Sequence, residues 1–124
     1  MFAQVLLPVV LSILCCFPLV GRAFAQEIKQ PLIDQGRTLY LTYGCAVCHG
    51  KEGTGDGIGG KNMHPPPTNL HQRKEYMHGS KREDIVFSIK AGVRDGDSIM
   101  PSFAHLTPDE IEAISHYVVS LQDQ

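Results

Sequence analysis

The sequence predicts an all-α fold with about three helices joined by two long loops. Three observations predict it. Two capping boxes, Ser80-Lys81-Arg82-Glu83 and Thr107-Pro108-Asp109-Glu110, each open a run of apolar residues at helical spacing. Residues 50–79 hold seven glycines and the run Pro65-Pro66-Pro67, which forbids a regular helix or a central strand over most of that stretch. No segment shows the apolar–polar alternation of a half-buried strand.

The elements follow in order. Phe2 to Val20 carries no charge and is rich in Val, Leu and Ile, and Ala23-Phe24-Ala25 then gives a small-x-small pattern. Residues 1–25 read as a signal peptide cut before Gln26, or else as a retained anchor, because the apolar run is near the minimum membrane span of roughly 17 to 20 residues. Cys15 and Cys16 read as small hydrophobes within it. Residues 26–33 form a linker, and 34–124 the domain. A first helix over 34–42 starts at Asp34 as cap and presents Leu39 and Tyr40, with Gly44 after it. A second runs from the Ser80 box to Ala91, with Ile85, Val86 and Ile89 on one face and Gly92 closing it. Residues 93–106 read as loop. The last helix, with Pro108 in its first turn, runs to Leu121 along Ile111, Ile114, Tyr117, Val118 and Leu121.

Composition narrows the function. After removal of residues 1–25 the chain keeps 10 basic and 13 acidic side chains, a net charge near −3. There is no basic stripe for nucleic acid. A weakly acidic surface is also poorly suited to an anionic membrane. The glycines between Gly53 and Gly60 resemble a phosphate loop in composition alone, with no Gly-Lys-Ser/Thr ending and no preceding strand.

Four cysteines become two once the leader is gone. They stand in Cys45-Ala46-Val47-Cys48-His49, the C-x-x-C-H pattern of covalent haem attachment. Two thiols at that spacing reach two vinyl groups on one edge of the macrocycle, and the following His49 then lies against the iron. A thioredoxin-like redox pair expects a βαβ setting, and none is visible. Zinc needs a second ligand pair at short spacing. His64, His71 and His78 are seven residues apart in loop sequence and do not supply one. A structural disulfide between Cys45 and Cys48 is the remaining rival. A 30-residue breaker-rich loop is costly in a small domain unless it wraps something rigid, and a haem is rigid.

Beyond the motif, residues 34–122 resemble the class I c-type cytochromes. The resemblance rests on Gly36 and Tyr40, on Cys45 to Gly50, on Pro65-Pro66-Pro67-x-x-Leu70, on Ile99-Met100-Pro101 and on Ile114-x-x-Tyr117. It implies that the first and last helices cross closely at Gly36, with Tyr40, Ile114 and Tyr117 packed there as core. It implies one haem c, an iron held by His49 and Met100, and a backbone carbonyl of Pro66 or Pro67 on the second nitrogen of His49. Leu70 and Ile99 would touch the macrocycle. Four residues separate Tyr40 from Cys45, where many relatives have three.

Met100 lies 51 residues after His49 and just before Pro101. A thioether there fills the sixth position and raises the potential relative to His alone. Met63, Met77 and the remaining histidines are the alternatives. Arg73, Lys74, Tyr76 and Arg94 are candidate donors to the haem carboxylates. The expected function is single-electron transfer between exported or membrane redox partners, most simply in a periplasm, without catalysis. The alternatives are a haem subunit of a larger dehydrogenase or oxidase, and a gas-binding or peroxidase-like protein with an open iron.

Overall fold

Caps and breakers set where each helix begins and ends, and the computed structural model places them as follows. It describes residues 29–122 and 124. The chain divides into two units, 1–31 and 32–124, and only 29–31 of the first are described. The leader or anchor reading of 1–25 therefore lies outside the described residues. Among those described, no helix is long and apolar enough to cross a membrane.

The first helix, α1, spans 29–42. Its described part already extends five residues ahead of the expected cap, so 29–33, read as linker, are helical. Asp34 is interior rather than a cap, and its carbonyl accepts from Thr38 Oγ1 at 3.1 Å. Gly36 and Tyr40, one turn apart, are the buried positions of α1. Gly44, at φ 79°, ends this segment in the left-handed region, as the sequence predicts.

A single turn of helix, α2 (Cys45–His49), follows at once. Then come two 3-10 turns, Ile58–Gly60 and Arg73–Glu75, within the breaker-rich stretch. Helix α3 (Arg82–Ala91) buries Ile85 and Ile89. Its cap is Lys81, one residue beyond the predicted Ser80. The Asp84 carboxylate accepts from the Lys81 backbone N–H at 3.2 Å. Glu83 instead pairs with Arg82 at 2.8 Å. The Ser80 carbonyl is taken by Gln122 Nε2 at 2.9 Å, which explains the one-residue shift.

The stretch read as loop after Gly92 contains a hairpin. Strand β1 (Val93–Asp95) pairs antiparallel with β2 (Ser98–Met100) in the register Val93↔Met100, Arg94↔Ile99, Asp95↔Ser98. Three residues are too few for alternation to show. A signal was nonetheless present, since Gly96-Asp97 suits a two-residue hairpin turn and Gly96 has φ 56°.

Helix α4 (Pro108–Leu121) has the full predicted box. Thr107 Oγ1 accepts from Glu110 N–H at 3.3 Å, and Glu110 Oε2 accepts from Thr107 N–H at 2.9 Å. Seven of its residues are buried, among them Ile111, Ile114, Tyr117 and Leu121. Helices α1 and α4 cross at Gly36. A Cβ there would overlap the Ala113 carbonyl oxygen and come within 2.6 Å of its carbon and 2.9 Å of Tyr117 Cβ. Tyr40 and Tyr117 meet edge to face at the crossing, with centroids 5.2 Å apart. Tyr43 adds a hydrogen bond from its hydroxyl to Glu110 Oε1 at 2.6 Å. The core continues from this crossing through Leu70, Ile85, Ile89, Leu106 and Val118.

Candidate functional site

The chemistry-bearing residues converge on one cavity of about 460 Å³. On α2, Cys45 lies three and four residues before Cys48 and His49, so all three share a face of the turn, and all three line the cavity. Two left-handed glycines bracket α2, Gly44 and Gly50 at φ 79° and 82°. Leu70, Ile85, Ile89, Ile114 and Val118 supply apolar wall.

His49 is fixed from behind. Its Nδ1 donates to the Thr68 carbonyl at 3.0 Å, which leaves Nε2 as the nitrogen with a lone pair. The family resemblance gives this role to Pro66 or Pro67. Both prolines line the cavity, but the accepting carbonyl belongs to the residue after them. The loops explain the offset. Leu70 N–H donates to the Gly53 carbonyl at 2.7 Å, and Gly55 packs against Thr68 and the Pro67 carbonyl, too close for a Cβ. Together these hold Thr68 over the imidazole. Burial pushes the His49 pKa below its ordinary value, and the Thr68 bond offsets part of that. A neutral imidazole with one N–H engaged is the form that ligates metal.

Burial also pushes the Cys45 thiol up to about 11, with Cys48 adding to the rise. The two thiols are not joined to each other. Among the described residues no group of three or more His, Cys, Asp or Glu is placed to hold a metal ion, so neither the disulfide nor the zinc reading gains support.

Tyr40 has a role the sequence did not reveal. Its hydroxyl donates to the Gly50 carbonyl at 2.6 Å, so helix α1 holds the residue next to His49, and the ring also lines the cavity. Burial raises the pKa of this hydroxyl. The phenol therefore remains a donor.

All three methionines of the domain line the cavity, so lining alone does not choose among them. Their surroundings differ. Met100 packs against the buried core. Met77 is half exposed. The Met63 sulfur accepts from Ser98 Oγ at 3.8 Å. Leu70 and Ile99 both line the cavity, and Ile99 also reaches solvent. Of the candidate carboxylate donors only Tyr76 lines it, and its hydroxyl donates to the Leu70 carbonyl at 2.7 Å.

Two thiols, an imidazole with its back nitrogen engaged, and a core-packed thioether around one apolar cavity fit a covalently attached haem. The comparison with protein families agrees, since residues 33–122 match the Cytochrome c model. The chain belongs to the class I c-type cytochromes.

Its relatives include the cytochrome c6 of Cyanidium caldarium, 28% identical over 92 residues that cover 74% of this chain and 73% of that protein. The cytochrome c6 of Cyanidioschyzon merolae is 30% identical over 76 residues, covering 61% and 62%. A third relative is cytochrome c oxidase subunit 2 of Alkalihalophilus pseudofirmus, 28% identical over 105 residues. This cytochrome chain matches only 29% of that subunit's length. Among solved structures, a chain of the Kuenenia stuttgartiensis reducing HAO-like protein complex Kustc0457/Kustc0458 superposes with a TM-score of 0.58 at 30% identity. That match covers 72% of this chain and 42% of the other. As a class I c-type cytochrome the chain has the predicted mostly helical fold, binds haem c covalently and works in haem-based electron transfer.

Proposed function

We propose that this cytochrome is a non-enzymatic carrier that moves single electrons between exported redox proteins on one haem c. Cys45 and Cys48 would hold the macrocycle, and His49 and Met100 the iron. The observation that carries this reading is that Met100, 51 residues from His49 in sequence, lines the same cavity as His49 and the thiol pair and is packed there against the buried core. Bound there, the haem iron supplies a centre that gains and loses one electron.

The chain's own residues do the rest. Thr68 keeps the His49 ring in one orientation and one tautomer. Met100, packed against the core, has little freedom to leave its place. A site filled from both sides by protein groups leaves no position for substrate, which is why we read a carrier rather than an enzyme. The apolar wall excludes water, and a drier site favours a higher potential. Beside the thiols, Val47 and Ile58 are 53% and 76% exposed. Exposed apolar side chains at that edge suit a small, transient contact with a redox partner.

Residues 1–25 would direct the chain out of the cytoplasm, to a periplasm, or anchor it to the outer face of the membrane if retained. The likeness to part of an oxidase subunit 2 favours a second reading, a haem module that works with a fixed partner. Co-purification of a stoichiometric partner after mild crosslinking would select that reading.

The test is Met100→Ala in the haem-loaded protein. It should lower the reduction potential, abolish the weak sulfur–iron band at the red end of the ferric spectrum, and open the iron to imidazole and carbon monoxide. A wild type that lacks the band and binds carbon monoxide at once when reduced would refute six-coordination.

A further inference from the structure

Met100 and the residue that orients His49 sit on different segments, and those segments meet beside the hairpin turn. His49 is oriented by Thr68, at the end of the stretch 63–68. Met100 closes the hairpin strand β2. At the hairpin turn, Asp97 N–H donates to the His64 carbonyl at 3.2 Å. One residue on, Ser98 Oγ donates to Met63 Sδ at 3.8 Å. The approach is close at the backbone too, since a Cβ on Gly96 would stand 3.1 Å from the His64 oxygen.

Ser98 and Met100 are two apart on β2, so their side chains share a face of the strand. Both line the cavity, as does Met63. The hairpin itself has three residues a side, and among the described residues its strands pair only with each other. A ribbon that short holds its place through what it packs against rather than through its own ladder.

We propose that Ser98 is a positioning residue, its hydroxyl clasping the Met63 thioether so that the hairpin carrying Met100 stays in register with the segment that orients His49. The inference rests on Met100 as the sixth ligand. Without the clasp the hairpin moves outward more often. The apparent affinity for an added ligand then rises in proportion to the population with Met100 displaced. One hydroxyl-to-sulfur bond sets that change at about two- to tenfold.

The experiment uses ferric, haem-loaded protein titrated with imidazole, read by loss of the sulfur–iron band, with the reduction potential measured alongside. Ser98→Ala and Met63→Leu should each tighten imidazole binding by about two- to tenfold and lower the potential. Because both remove the same bond, the double variant should bind no more tightly than either single one. Ser98→Thr, which keeps the hydroxyl, should restore the wild-type titration. Unchanged imidazole affinity in Ser98→Ala, or effects of the two substitutions that multiply in the double variant, would overturn the clasp while leaving Met100 ligation intact. A wild type that binds imidazole as readily as Met100→Ala would overturn both.

Discussion

Gly36→Ala tests the helix crossing on which the haem-bearing turn depends. Taken as a local change, it should stabilise. Ala is favoured over Gly inside a helix by about 1 kcal/mol, and Gly36 is interior to α1. Tertiary structure predicts the opposite sign. The new methyl would overlap the Ala113 carbonyl oxygen, with Ala113 C at 2.6 Å and Tyr117 Cβ at 2.9 Å. Two of these three neighbours are backbone atoms of α4, and the third is the rigid root of a buried ring. None can swing aside, so the helices themselves must part. Overpacking of this kind costs about 3 kcal/mol or somewhat more. Less the propensity gain, a net loss of about 2 kcal/mol is expected. In a domain of this size that lowers the thermal midpoint by roughly 8 to 16 °C. Denaturant unfolding of the haem-loaded protein, followed by far-ultraviolet circular dichroism, gives the free energy directly. A Gly36→Ala protein as stable as the wild type would show that α1 and α4 do not approach as described.

Two further outcomes follow from individual hydrogen bonds. Tyr40→Phe removes the donor to the Gly50 carbonyl, which keeps its second bond, from the Gly53 N–H at 3.2 Å, and should cost about 1 kcal/mol in the same unfolding assay; an unchanged midpoint would mean that water replaces the phenol. Glu110 has its carboxyl held below the ordinary range first by the Tyr43 hydroxyl and then by the Thr107 N–H and hydroxyl. Its folded pKa is depressed, so the stability it confers is present above the ordinary carboxylate value, about 4.3, and fades as pH falls below it. Tyr43→Phe should therefore flatten the stability–pH curve on its acid side, below the ordinary carboxylate value, and parallel wild-type and variant curves would refute the assignment.

Much of this architecture was legible in the residues, for physical reasons that differ from element to element. Helix α4 carries its own cap, its own first-turn proline and a full apolar face, so local signals and tertiary burial agree. For α3, Ser80 and Glu83 satisfy the box pattern as well as Asp84 does, so the sequence alone starts the helix one residue early. Only the distant Gln122, which claims the Ser80 carbonyl, breaks the tie. The helical turn ahead of Asp34 is not legible, because Asp34 is a good cap by type and composition does not tell a capping Asp from one inside a helix. The thiols and His49 were plain from spacing. The carbonyl behind His49 was not, because it depends on how 53–55 pairs with 67–70 across the loop. The same is true of Tyr40, whose ring declares itself as core while its hydroxyl reaches a residue ten positions away. The link between Ser98 and Met63 spans 35 positions and has no local signature.

The contact between Tyr40 and Tyr117 has a temporal side. The ring that steadies Gly50, and through it the end of the thiol-bearing turn, gains its packing partner 77 positions downstream. Such remote pairing is slow, because the intervening chain must close before the contact forms. A growing polypeptide thus presents Cys45, Cys48 and His49 well before the final helix exists to shut them in.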